Sequence, residues 1–172
     1  MQKQKNLSKD KNFDSGFYEV VKDILHDPEV LKMKNFNQHS NTDCYMHCLH
    51  VSYYNYRICR ALRLNAGAAA RAGMLHDFFL YDWRHHPKAP GERMHAFTHA
   101  GYALRNAEKT FELSEREEDI ILRHMWPVTI TPPKHMESWI ITLTDKYCSI
   151  CEFIDHYYPL KGLHAKFSGY LN

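Results

Sequence analysis

An all-α, single-domain helical bundle is the fold class this sequence predicts, and three observations carry it. Apolar residues recur at intervals of three and four through most of the chain. Capping residues stand ahead of most of these stretches. No stretch combines β-branched alternation with hairpin turn chemistry. At 172 residues the chain can build one substantial core but not two ordinary domains. Its 44% hydrophobic and 24% charged residues are globular proportions, not disordered ones.

Residues 1–14 are polar and lysine-rich and read as a flexible tail, with the domain covering residues 15–172. Phe17, Tyr18, Val20, Val21, Ile24 and Leu25 recur at helical spacing. Asp27-Pro28 reads as an N-cap followed by proline at the first helical position. Residues 35–42 are polar and loop-like. Asp43 can cap the next helix, where His47, Val51, Tyr54 and Ile58 share one face. Asn65 can cap an alanine-rich helix with Ala69, Ala72 and His76 along one stripe.

Residues 81–93 hold two prolines, a glycine and several basic or imidazole side chains, which requires a loop. A helix starting near Ala96 places His99 and Ala103 together. Ser114 and Glu117 form a capping box, and the helix they open carries Ile120, Ile121 and His124 before Pro127 stops it. Residues 129–134 form a second loop. From Met136 a long helix sets Ile141, Asp145, Cys148 and Glu152 at steps of four, three and four.

Composition excludes several function classes. The net charge of +2 is small and the basic residues are dispersed, so specific nucleic-acid binding is not expected. No apolar run approaches the roughly 20 residues of a membrane span, and the N-terminus lacks the apolar segment of a secretory signal. The expected location is the cytoplasm. Five cysteines in no small-scaffold spacing fit reduced thiols, and Cys148-Ser-Ile-Cys151 inside a helical pattern reads as packing.

The 13 histidines are the anomaly. Surface imidazoles such as His26, His39, His156 and His164 need no special role. Five predicted helices or their ends, however, each send a ligand-type side chain inward: His47, His76 with Asp77, His99, His124 and Asp145. Buried carboxylates and imidazoles need partners. Imidazole and carboxylate both suit first-row transition ions, and six such groups converging is better explained by a metal than by unrelated pairings.

In this order, and with the stretches Cys44-Tyr-Met-His-Cys-Leu-His-Val-Ser, Ala70-Arg-Ala-Gly-Met-Leu-His-Asp and Thr144-Asp145-Lys146, the chain resembles the HD-domain superfamily of metal-dependent phosphohydrolases. The resemblance implies a helical bundle with a dinuclear centre in its core. His47, His76, Asp77 and Asp145 would hold one metal, and His99 and His124, with Asp77 bridging, a second. His50, one turn from His47, is the rival first ligand. The resemblance favours His47 because a small apolar residue, Val51, follows it by four.

The implied cofactors are two divalent transition-metal ions, iron or manganese. The implied reaction is hydrolysis of a phosphoester or phosphoanhydride, a nucleotide among the candidates, by attack of metal-bound hydroxide. Asp77 and Lys146 would be catalytic, and Lys146, Arg84, Lys88 and Arg93 would meet the oxygens of a small phosphorylated substrate. The chain departs from cyclic-dinucleotide phosphodiesterases of the superfamily at His124-Met125, where they pair histidines, and at Phe78-Phe79-Leu80, where they carry glycine and lysine. The six-ligand pattern also resembles HD-domain mixed-valent di-iron oxygenases. A metal-binding regulatory module without catalysis is the third class.

Overall fold

The first helix, α1 (Ser15–Leu25), turns Phe17, Val21, Ile24 and Leu25 into the core. These positions fall on one side of a 3.6-residue repeat, and each fully buried large apolar side chain contributes roughly 1.5–3 kcal/mol. The Asp27 carboxylate accepts hydrogen bonds from the Glu29 and Val30 amides, and Pro28 opens the short α2 (Pro28–Leu31). A 3₁₀ turn (Lys32–Asn35) follows. The computed structural model describes residues 15–39, 42–85, 91 and 93–157. The expected tail, residues 1–14, lies outside the described residues, as do Lys88 and residues 158–172.

Where the sequence suggested only a polar loop, the chain forms an antiparallel ribbon, β1 (Asn37–His39) with β2 (Thr42–Asp43). Two or three polar residues are too short a run to register a period of two. With this exception the regular elements among the described residues are helices, as expected for an all-α domain.

Asp43 ends the ribbon and accepts a hydrogen bond from the Met46 amide, which starts α3 (Cys44–Ala61). The buried stripe of α3 passes from His47 and Val51 to Cys48, Ser52, Asn55 and Cys59. Ile58, expected on the His47 face, is exposed. The cause is α4 (Ala66–Leu75), which docks along the Ser52 side of α3. A Cβ on Gly73 would stand 2.8 Å from the Ser52 Cα, so the two backbones nearly touch and only glycine fits the crossing. The Ser52 hydroxyl donates to the Ala70 carbonyl at 2.6 Å. Asn65 caps α4 by accepting the Ala68 amide hydrogen bond.

The remaining helices are α5 (His95–Thr110), α6 (Glu115–Arg123) and α7 (Met136–Tyr157). The Ser114–Glu117 capping box is formed. Three polar links tie the bundle together. Arg71 of α4 binds Asp23 of α1 at 2.8 Å and Glu117 of α6 at 3.3 Å. Glu137, at the start of α7, accepts from the Asn65 amide and from Arg116. The Thr144 hydroxyl donates to Asn55 at 2.6 Å, fixing α7 on α3. No helix among the described residues is long and apolar enough to cross a membrane.

Candidate metal centre

Each of the six expected ligands sits at a helix end or on a helix face that packing holds inward. His47 is in the first turn of α3, and His76 and Asp77 follow directly on α4. His99 is in the second turn of α5, His124 caps the end of α6, and Asp145 lies midway along α7. All six are buried.

The four imidazoles are oriented in one way. In each, Nδ1 is committed away from the centre: in His76 to the Gly73 carbonyl, in His99 to the His95 carbonyl, in His124 to the Ile121 carbonyl, each at 2.8 Å. In His47, Nδ1 donates to the Glu152 carboxylate at 3.0 Å. A ring whose Nδ1–H is held by an oxygen presents Nε2 as its ligand atom, the arrangement by which proteins aim histidines at metals.

The Nε2 atoms converge on the two aspartates. His47 Nε2 is 3.1 Å and His76 Nε2 3.7 Å from Asp145 Oδ1. Asp77 divides its oxygens: Oδ2 lies 3.6 Å from His76 Nε2, while Oδ1 lies 3.3 Å from His99 Nε2 and 3.6 Å from His124 Nε2. Two ligand groups result, His47–His76–Asp145 and His76–Asp77–His124, each with donor atoms within 4.8 Å of one another. The Nε2 atoms of His99 and His124 stand 2.9 Å apart. With both Nδ1 atoms donating to carbonyls, neutral rings would face lone pair to lone pair there.

Two fully buried atoms, His76 Nε2 and Asp77 Oδ1, have no hydrogen-bond partner. Such orphans are costly, and a cation between them would satisfy both. The donor set of imidazole nitrogens and carboxylate oxygens suits a first-row transition ion. The residues therefore fit the metal that their chemistry suggests.

Charge balance points the same way. Burial alone would depress His47, yet Asp145 and Glu152 hold its pKa well above the ordinary value. Burial acts likewise on His76, which Cys48, Asp77 and Asp145 hold high. Burial opposes ionisation of Asp77, but His76, His99 and His124 keep it far below the usual carboxylate range. For Asp145 the same opposition is overcome by His47 and His76. His124 is lowered to about 3, by burial and then by charge on His76 and His99. Carboxylates at this centre are anions that demand positive charge.

A cavity of about 260 Å³ opens onto the cluster, lined by Gln38, Asp77, Trp83, His95, His99, His124, Asp145, Lys146 and others. Lys146 thus stands on its wall, its Nζ donating to the Thr142 carbonyl at 3.0 Å. Arg84 packs over the Trp83 ring and Arg93 over the Phe97 ring; neither belongs to the lining of this cavity. His50 is buried beside Glu152, 3.7 Å away, and belongs to neither ligand group. Trp126 packs edge-on against Trp139. The thiols of Cys148 and Cys151 are free and buried.

Three neighbours of the centre were not expected there from sequence. Glu152 carried a signal in its spacing, seven residues beyond Asp145 on the same face of α7, but that spacing does not show which helix it meets; it bonds His47 of α3. His95, one turn before His99, stacks on its ring at 4.6 Å. Gln38 had no signal, because nothing in a short polar segment shows which residue turns inward.

The family model described as HD domain matches residues 44–150, a span that begins with α3 and contains all six ligand-type residues. No curated protein and no solved structure matches the chain.

Proposed function

Because the chain belongs to the HD-domain family, whose members are mostly metal-dependent phosphohydrolases, we propose that it hydrolyses a phosphoester or phosphoanhydride of a small phosphorylated molecule. The observation that carries this reading is the convergence of four Nε2 atoms on Asp77 and Asp145, with His76 Nε2 and Asp77 Oδ1 buried and unpartnered. In the proposed assignment His47, His76, Asp77 and Asp145 hold one divalent ion, and Asp77, His99 and His124 the other. When bound, such a pair clamps phosphate oxygens and acidifies a water.

The chain's own residues supply the rest. The four Nδ1 hydrogen bonds keep the rings from turning, so the ligand set is preorganised before a cation arrives. Glu152 strengthens His47 as a donor, because a carboxylate on Nδ1–H makes the opposite nitrogen more basic. Lys146, on the cavity wall, is the proposed contact for a phosphate oxygen. Burial lowers its pKa while Asp145 raises it. Arg84, Lys88 and Arg93 of the loop are proposed as outer contacts for the same substrate. Trp83 stands on the cavity wall, its ring stacked on His95, and a nucleotide is among the phosphorylated substrates proposed. The buried free thiols suit a reducing compartment such as the cytoplasm.

The same donor set is compatible with an iron pair that activates dioxygen, and one comparison separates the two. Phosphate or nucleotide release from a substrate panel is measured under strict anaerobiosis with manganese, beside oxygen uptake by the iron form. Hydrolysis without oxygen is the expected result. Turnover only with iron and oxygen would replace the hydrolase by an oxygenase.

A further inference from the structure

Gln38 lies in β1, 7% exposed, against α3 and α7. Its amide Nε2 donates to Asp77 Oδ2. Its other polar atom, Oε1, is fully buried and has no hydrogen-bond partner. A buried carbonyl without a donor is a cost the fold does not need, since an apolar side chain of the same length would avoid it. The residue also lines the cavity together with Asp77, His99, His124 and Asp145, so the orphaned oxygen belongs to the centre's surroundings and not to the general core.

We infer that Gln38 is a positioning residue of the metal centre, fixing the Asp77 carboxylate through Nε2 and accepting, through Oε1, a hydrogen bond from the attacking water. This rests on the hydrolase reading given above. A neutral amide suits the first of these roles, since it donates to Asp77 without bringing a cation that would compete with the metals for the same carboxylate. It suits the second because Oε1 lacks a donor and belongs to a side chain on the cavity wall beside Asp77. Asp77 Oδ1 is left to face His99 and His124, so one side chain orients the proposed bridge and the nucleophile together. The ribbon thereby gains a purpose: it carries a polar side chain into a site otherwise built from helices, their ends and the loop that holds Trp83.

The test is manganese titration by calorimetry of the wild-type chain and of Gln38→Met, which keeps the length and removes both hydrogen bonds. Outer partners of ligating residues typically contribute about 10–100-fold in affinity or activity, and a loss of that size is expected in Gln38→Met. The metal-free variant should melt close to the wild type, because losing the Nε2 donor to Asp77 and removing the unsatisfied Oε1 act in opposite directions. A residue with a merely structural role would do the reverse, lowering the melting temperature and leaving affinity unchanged; that result overturns the inference. Turnover of bis(p-nitrophenyl) phosphate adds a second readout, with kcat expected to fall and KM to stay. Equal kcat in the two proteins overturns the role assigned to Oε1. If Gln38→Met does not fold, Gln38→Asn withdraws the same amide by one methylene and should show the same losses. A wild-type chain that binds no manganese or iron would sink the hydrolase reading itself, whereas a binding wild type with an equally binding variant sinks only this inference.

Discussion

His47 shows how one residue joins the charge state of the centre to its ligand chemistry. Its ring lies between Glu152 on Nδ1 and Asp145 on Nε2, and without a cation these carboxylates hold it protonated well above the ordinary imidazole range, against the effect of burial. A metal on Nε2 must displace that proton, and the same holds for His76. Metal binding should therefore release protons, and affinity should rise with pH as fewer protons compete. Calorimetric titrations in two buffers of different ionisation enthalpy measure this release; heats independent of buffer would contradict it. Glu152→Gln removes the carboxylate from Nδ1 and should weaken metal binding by about 10–100-fold, measured as a dissociation constant. The burial of the six histidines and aspartates of the centre was legible in the sequence, because each is a ligand type at a helical spacing that burial makes expensive. The position of Gln38 was not, since it depends on where a three-residue strand lands.

The α3–α4 crossing shows the same dependence of site on packing at the level of elements. Gly73→Ala would gain about 1 kcal/mol of helix propensity, but its Cβ would meet Ser52 Cα at 2.8 Å and Ser52 N at 3.2 Å. Backbone atoms cannot swing aside, so the overpacking cost of about 1–3 kcal/mol prevails. The variant should melt lower, and it should also bind metal more weakly, because His76 and Asp77 follow Gly73 by three and four residues. Ser114→Ala, at the capping box far along the chain from that crossing, should cost about 1 kcal/mol, or about 2–4 °C in Tm, with metal affinity unchanged. Helix starts were legible at Asp27, Asp43, Asn65 and Ser114 because side-chain caps obey local chemistry. The exposure of Ile58 was not, because periodicity defines a face but not the neighbour that covers it. The α4 backbone chose the Ser52 side of α3, and the stripe followed.

For the molecule as a whole, the links between helices set how stability responds to acid. Glu137 is buried, yet hydrogen bonds from backbone amides, Asn65 among them, and from Arg116 hold its pKa below the ordinary value, against the effect of burial. A carboxyl lowered on folding adds stability that is present above the unfolded pKa of about 4.3 and disappears as pH falls through the lower folded value. Glu137→Gln should therefore destabilise near neutral pH and flatten the loss of stability below about pH 4.3, followed by urea denaturation across that range. The fold class could be read from the sequence since helical periodicity and absent strand chemistry agree over the whole length. The substrate could not, because Arg84 and Arg93 lie on aromatic rings outside the lining of the cavity and cation-rich loops fit many phosphates equally well.

Metal content per chain, determined by elemental analysis after anaerobic purification and reconstitution of the wild type, Asp77→Ala, His99→Ala and His124→Ala, tests the central claim most directly. The two Asp77 oxygens face different imidazoles, Oδ2 that of His76 and Oδ1 those of His99 and His124. About two ions are expected in the wild type, as a two-metal site requires, none in Asp77→Ala, and the loss of mainly one in each histidine variant. No metal in the wild type, or full and equal loss in all three variants, would contradict it.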